Sequence, residues 1–241
     1  MLDEQGAQNY WGQQIQKGGI EPCHYLNKWQ DKYAFEIRTS VFNRCDFEGL
    51  KKIVDIGCGV GDYTTKLSEL IDSDAHIVGY DFLFNIEIAR KKHSHFKNIT
   101  FKEGSVPNSD LERDIESADA VVMTTVYTHL TPVSREVLMG YFKKMRAGAK
   151  MFILEYFPEV VPEFQKNQGH KVVESSKEAQ TRFKNHGLKI LEVRPVNYID
   201  SFLFFRWGKN WFVYFVTKWA DKLIRLFKHK HSKYKLIILE R

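Results

Sequence analysis

The stretch Val54 to Thr64, VDIGCGVGDYT, constrains this chain more than any other. Apolar residues Ile53, Val54 and Ile56 lead through it, and glycines follow at alternate positions, Gly57, Gly59 and Gly61. Tyr63 to Ile71 is compatible with a helix. A buried strand, a tight glycine-rich turn and a helix start make the corner at which α/β folds hold nucleotides. Glycine is needed there for two reasons: the turn uses backbone angles that a Cβ resists, and a ligand must come close to the main chain.

Spacing narrows the ligand. Dinucleotide sites use G-x-G-x-x-G to lay a pyrophosphate on a helix N-terminus. Here the order is G-x-G-x-G, and Asp55 sits inside the approach to the turn. A carboxylate there disfavours an anion and favours an ammonium. Asp81 ends a second apolar run, HIVGYD, twenty residues past Gly61, where a carboxylate suits a ribose diol. Two carboxylates without a phosphate pocket point to a nucleoside with a cationic tail, and S-adenosylmethionine is the obvious candidate. A nicotinamide-dependent oxidoreductase shares the corner, but this glycine spacing and Asp55 speak against it.

VDIGCGVGDYT followed by VGYDF resembles the first two motifs of the class I S-adenosylmethionine-dependent methyltransferases, over roughly Lys51 to Phe157. The resemblance implies an α/β, Rossmann-like, seven-stranded and mostly parallel sheet with helices on both faces. Its last strand would run antiparallel between the fifth and sixth. Strands are expected near 51–56, 75–80, 99–102, 119–124 and 150–155, with helices near 62–72, 84–93 and 133–146. HGLKILEVRPVNYI resembles the sixth strand and YKLIILE the seventh. The implied cofactor residues are Asp55, Gly57, Gly59, Gly61 and Asp81, with Phe82 packing on adenine or serving as an ordinary core residue. The third motif departs from the family pattern, reading Glu103-Gly104-Ser105-Val106 where an aspartate often follows a glycine. Gly104 and Ser105 remain the matching positions, and Thr124 opens the fourth strand's active end. His129, with Tyr127 beside it, matches the position from which small-molecule members often present a histidine to the reacting methyl. A general base, a substrate-positioning group or a plain loop buttress all fit His129.

The implied reaction is methyl transfer to O, N or C of a small or amphiphilic acceptor, lipid-like or glycan-like molecules included. A non-catalytic cofactor-binding protein and a nucleic-acid methyltransferase are the alternatives. N-P-P-Y and D-P-P-Y are absent, and no cysteine lies at the fourth strand end, which argues against nucleic acid. No metal-ligand cluster stands out, so no metal is expected. Three widely spaced cysteines and a polar N-terminal stretch without a signal-like apolar region make a cytoplasmic location the expectation.

Two regions flank the motifs. Residues 1–50 read as an N-terminal helical cap, and 51–241 as the methyltransferase domain. Leu26 to Phe42 can form an amphipathic helix with Leu26, Trp29, Tyr33, Ile37 and Val41 on one face, either packed on the sheet or, as the resemblance implies, capping the cofactor, with Tyr10, Trp11, His24 and Tyr25 then candidates to line the acceptor pocket. The second region is an aromatic and basic helical insertion at 200–233. Its apolar set Phe212, Phe215, Val216, Trp219, Leu223, Leu226 and Phe227 has helical spacing, with Lys218, Asp221, Lys222, Arg225 and Lys228 opposite. The net charge of +6 concentrates nearby, because residues 201–241 hold ten Lys or Arg against Asp221 and Glu240. The insertion reads as a pocket lid, a helix lying peripherally on an anionic membrane, a subunit interface in an oligomer, or a helix whose apolar face packs on the domain.

Overall fold

The computed structural model describes residues 28–161, 172–197, 211–227 and 232–241, with the isolated positions 6 and 163. Tyr10, Trp11, His24, Tyr25 and Leu26 lie outside the described residues, as do parts of 200–233. Chain order is α1 (Lys28–Phe42), β1 (Lys52–Ile56), α2 (Asp62–Ser68), β2 (His76–Asp81), α3 (Leu83–Lys92), β3 (Ile99–Glu103), α4 (Ser109–Glu116), β4 (Ala120–Thr124), α5 (Pro132–Lys144), β5 (Lys150–Tyr156), α6 (Ser176–Asn185), β6 (Lys189–Asn197), α7 (Trp211–Phe227) and β7 (Tyr234–Glu240).

The seven strands form one sheet in the order β3-β2-β1-β4-β5-β7-β6. The pairings β1–β2, β1–β4, β2–β3 and β4–β5 are parallel, and β7 runs antiparallel to both β5 and β6. This is the sheet the motif resemblance implied. Strand order reverses between β1 and β4, so the loops leaving their carboxyl ends diverge and open a crevice there.

The sheet is buried on both faces because its strands are apolar at consecutive positions. Val54, Ile56, Val121, Met123, Met151 and Ile153 face one cluster, covered by Leu111 and Ile115 of α4, Leu138 and Phe142 of α5, and Phe183 of α6. The alternate residues Ile53, Val122, Phe152 and Leu154 face a second cluster, covered by Tyr33, Ile37 and Val41 of α1, Leu67 of α2, and Ile86 and Ala89 of α3. Two helices escaped the sequence reading, and both carry readable start signals. Asn108 caps α4 by accepting from the Asp110 and Leu111 N–H groups, while Ser175 and Glu178 form a reciprocal capping box at α6.

The insertion helix overturns one expectation. Of its apolar set, Phe212, Phe215, Val216, Trp219 and Leu223 are exposed and do not pack on the domain, while Tyr214, Thr217 and Asp221 are buried. Among the described residues, no helix is long and apolar enough to cross a membrane.

On the first face, Asp114 ties α4 to three strands. It accepts from Tyr80 Oη of β2 at 2.6 Å, and from Lys52 Nζ of β1 and Lys102 Nζ of β3 at 2.7 Å each. Burial alone would raise its carboxyl, but donation from Lys102, Lys52 and Tyr80 outweighs that and holds it at about 2, below the ordinary 3.8. A depressed folded value gives stability that is present above the unfolded value and lost as pH falls toward the folded one. Asp114→Asn should therefore cost roughly 1–2 kcal/mol at pH 7 in urea denaturation, shrinking as pH drops from 4 toward 2. An equal cost at both ends of that range would reject the ionic account.

Candidate functional site

The glycine-rich turn joins β1 to α2 at the carboxyl edge of the sheet. Gly57 and Cys58 N–H groups both donate to Tyr80 O of β2, at 2.7 and 3.0 Å, which presses the turn against the neighbouring strand. Gly57 has φ +72°, and a Cβ built on it would lie 2.1 Å from Val126 Cγ2 in the loop after β4. Gly59 differs: at φ +56°, nothing stands within 4 Å of where its Cβ would be. One glycine thus admits a neighbouring loop, while the other leaves open space above the main chain. Gly61 caps α2 and is hemmed in by Phe101 and His93.

Asp81, the last residue of β2, locks this turn. Its Oδ2 accepts the Gly59 N–H at 2.7 Å, and its Oδ1 accepts Phe82 N–H at 2.7 Å and Asn85 Nδ2 at 2.6 Å. A carboxylate offers about four acceptor positions, so Oδ2 keeps room for one further donor. Burial raises the Asp81 carboxyl, and these hydrogen bonds from Asn85, Gly59 and Phe82 offset part of the rise. Phe82 is the N-cap of α3, half-buried, with its ring stacked 6.1 Å from that of Phe84. Asn85 is buried, and its Oδ1 has no partner.

Asp55 is placed differently from Asp81. It is 2% exposed and receives the Thr64 Oγ1 hydroxyl of α2 at 2.6 Å. Burial, only partly offset by Thr64 and reinforced by the Asp81 charge, pushes its carboxyl up to about 7. The sequence places a carboxylate at this corner, and the fold encloses it against α2.

The third and fourth strands complete the edge. Gly104 N–H donates to Asp81 O at 3.0 Å, and a Cβ there would meet Tyr80 Cδ1 at 2.9 Å, so this loop also runs close beside β2. Ser105 follows it, half-buried. Thr124 ends β4 buried, with an unpartnered Oγ1. Thr125 takes φ 57°, a left-handed conformation that a β-branched residue resists, and its N–H donates to Leu154 O at 2.8 Å. That bend aims Val126 at Gly57.

Tyr127 requires a correction. Expected to face the acceptor, it is fully enclosed, with its ring 5.7 Å from both Phe157 and Phe183, under the Arg135 guanidinium at 4.5 Å. Burial raises its hydroxyl further, and the hydroxyl approaches Glu174 Oε2 at 3.4 Å. A one-turn helix, Tyr127–His129, sends successive side chains in different directions, so Tyr127 enters the core while His129 stays half-buried at the turn's end. Glu155 was missed as a partner of this turn: 2% exposed at the end of β5, it accepts the N–H of Thr128 at 3.1 Å and of Tyr156 at 2.7 Å. An acid closing an apolar strand was a legible signal, since Asp81 was read from the same pattern. Asn85 and Thr125 carried no comparable signal.

Taken together, the loops after β1, β2, β3 and β4 meet at one edge, bringing Gly57, Gly59, Gly61, Asp81, Gly104 and Thr124 into a common neighbourhood. Open main chain at Gly59, spare acceptor capacity on Asp81, and the orphaned oxygens of Thr124 and Asn85 suit a ligand rich in hydroxyl and amino donors. Two stability measurements test this packing. Gly59→Ala should cost roughly 1–2 kcal/mol from backbone strain alone. Gly57→Ala should cost roughly 1–3 kcal/mol more, because Val126 must be displaced. Equal losses would mean that the two loops do not touch. For Asp55, the folded value lies above the unfolded 3.8, so its stability contribution is full below about pH 4 and lost as pH rises through 7. Wild type should therefore lose stability relative to Asp55→Asn as pH rises from about 4 to 7, at about 1.4 kcal/mol per pH unit. Parallel pH profiles in urea titrations would remove the enclosed carboxyl.

Comparison with known proteins adds independent information. A family model described as a methyltransferase domain matches residues 48–204. Malonyl-[acyl-carrier protein] O-methyltransferase of Bacillus anthracis is 25% identical over 170 residues, covering 68% of this chain and 61% of that protein. Demethylmenaquinone methyltransferase of Lactococcus lactis is 31% identical over 121 residues, covering 48% of this chain and 46% of that protein. The chain therefore spans about half to three-fifths of the length of these relatives. Among solved structures, the [4+2]-cyclase SpnF superposes with a TM-score of 0.66 at 13% identity, over 98% of this chain and 96% of that one. That likeness speaks for the fold alone. The family match covers more than half the chain and includes every glycine of the turn, so this chain belongs to the methyltransferase-domain family, the class I S-adenosylmethionine-dependent methyltransferases.

Proposed function

We propose that this protein moves a methyl group from S-adenosylmethionine to an O, N or C atom of a small or amphiphilic acceptor. The observation that carries the reading is the Gly59–Asp81 hydrogen bond beneath open main chain, with acceptor capacity left on Asp81 Oδ2. The names of the two relatives, one for malonyl-[acyl-carrier protein] and one for demethylmenaquinone, support acceptors outside nucleic acid.

S-adenosylmethionine supplies a methyl group already activated on a cationic sulfur. The protein's own work is therefore mostly alignment, and orienting two reactants can lower a barrier by about 7–11 kcal/mol. In this reading Asp81 takes a ribose hydroxyl on its spare lone pair. Gly57, Gly59 and Gly61 let the main chain approach the methionine end. Phe82 lies along the adenine, with Gly104 and Ser105 at its edge and Thr124 Oγ1 offering a hydroxyl to the ligand. Asp55 acts through Thr64 and the electrostatics of the corner, since its carboxyl is enclosed. His129 positions the acceptor and takes its proton where one must leave. Helix α1 serves as a cap on the rest of the domain.

Calorimetry with the cofactor tests the first half. Asp81→Ala should weaken binding by roughly 1–3 kcal/mol, the loss expected for a charged acceptor. Unchanged affinity would remove Asp81 from the site. His129→Ala should leave that affinity nearly intact and lower turnover of a labelled methyl donor with the true acceptor. An unaltered rate would reject the base assignment.

A further inference from the structure

Helix α7 is amphipathic in the opposite sense from a helix that covers a core. Positions 214, 217, 218 and 221 fall on one helical face. Tyr214, Thr217 and Asp221 on that face are buried. Tyr214 Oη and Lys218 Nζ both donate to Glu36 Oε2 of α1, at 2.6 and 2.7 Å. Burial alone would raise the Glu36 carboxyl, and these donors hold it lower than usual. The opposite face carries Trp211, Phe212, Phe215, Val216, Trp219 and Leu223, each 49% to 61% exposed. Rolling the helix to hide them would break both bonds to Glu36 and turn Tyr214, Thr217 and Asp221 out to solvent.

A contiguous apolar surface of this kind on a soluble fold marks a contact face. We propose that the outward face of α7 lies on an anionic lipid bilayer, embedded in the headgroup layer and not spanning it. Two observations select lipid over a second copy of the chain. First, the face is rich in Trp and Phe, whose rings suit the membrane interface, and Lys222 holds its ammonium 5.5 Å over the Trp219 ring at the rim. Second, residues 201–241 carry ten basic residues against two acids, while the remaining 200 residues carry 26 basic against 28 acidic. The positive charge is therefore concentrated in the stretch of sequence that contains α7, with Lys222 at the rim of the apolar face, and a twofold pairing of that face would set these ammonium groups near each other. The helix is too short and too charged to span a membrane, which keeps it in the headgroup layer.

The topology adds a consequence. The chain leaves β6 at Asn197 and enters β7 at Tyr234, which are register partners, and Tyr234 also faces Tyr156 at the carboxyl end of β5. The insertion therefore springs from the same edge of the sheet as the glycine loop, so a bilayer-bound α7 presents that edge to an acceptor dissolved in lipid. Binding itself does not depend on methyl transfer.

The test uses the full chain with vesicles of phosphatidylcholine alone and of phosphatidylcholine with phosphatidylglycerol. Wild type should co-sediment with the anionic vesicles, at least tenfold more than with the neutral ones, and less as salt is raised. The triple variant Trp211→Ser, Phe215→Ser and Trp219→Ser should lose that binding at least tenfold. Its circular dichroism and affinity for S-adenosylmethionine should not change, since all three side chains are exposed. Absence of wild-type binding to anionic vesicles, or equal binding by the triple variant, overturns the proposal. A dimer in sedimentation equilibrium that the triple variant abolishes, without vesicle binding, assigns the face to a second copy and overturns it as well. Vesicle binding with no cofactor affinity would leave this proposal standing and sink the methyltransferase reading instead.

Discussion

The hydrogen bond from Gly59 N–H to Asp81 Oδ2 organises the carboxyl edge of this protein. It joins a turn that has no regular structure to the end of β2, a strand pinned on both sides by β1 and β3. The same carboxylate accepts Phe82 N–H at the start of α3, where helical amides favour negative charge. One acid therefore fixes the turn, starts a helix and keeps a lone pair for a ligand. Together with the Gly57 and Cys58 bonds to Tyr80 O, it gives the three alternating glycines a fixed path, since residues lacking a Cβ define no conformation of their own.

The edge is also held by an interlock of backbone strain and missing side chains. Thr125 is forced to φ 57°, a conformation that costs on the order of 1–3 kcal/mol for such a residue. Its N–H bond to Leu154 helps hold it there and directs Val126 into the space above Gly57. The glycine is needed because the valine is present, and the valine stands there because the threonine is bent. Two loops from opposite sides of the switch point are thereby set at a fixed separation. Such rigidity suits a reaction in which alignment of two reactants is most of the task.

Much of this was legible beforehand. The glycine spacing, the acids at Asp55 and Asp81, and consecutive apolar strand residues all follow from short-range rules, and the sheet topology followed from the resemblance they carried. Helices α4 and α6 were missed although Asn108 and the Ser175–Glu178 pair announce them, because both helices are short and their apolar positions few. Tyr127 was misplaced for a different reason. Adjacent positions in a one-turn helix point apart, and nothing local says which of them enters the core. Asp55 was located correctly in the chain, but its enclosure by Thr64 depends on how α2 folds back over the strand.

The clearest division appears in α7. Sequence alone determined that its polar and apolar residues occupy opposite faces, since the 3.6-residue period is a property of the backbone. The tertiary structure alone decided which face turns inward, through Glu36, which lies 178 residues from Tyr214 along the chain. Periodicity sets the angle between two faces but carries no information about what either will meet. That choice belongs to distant partners, and here a pair of charge-assisted hydrogen bonds outweighed the pull to bury aromatic rings.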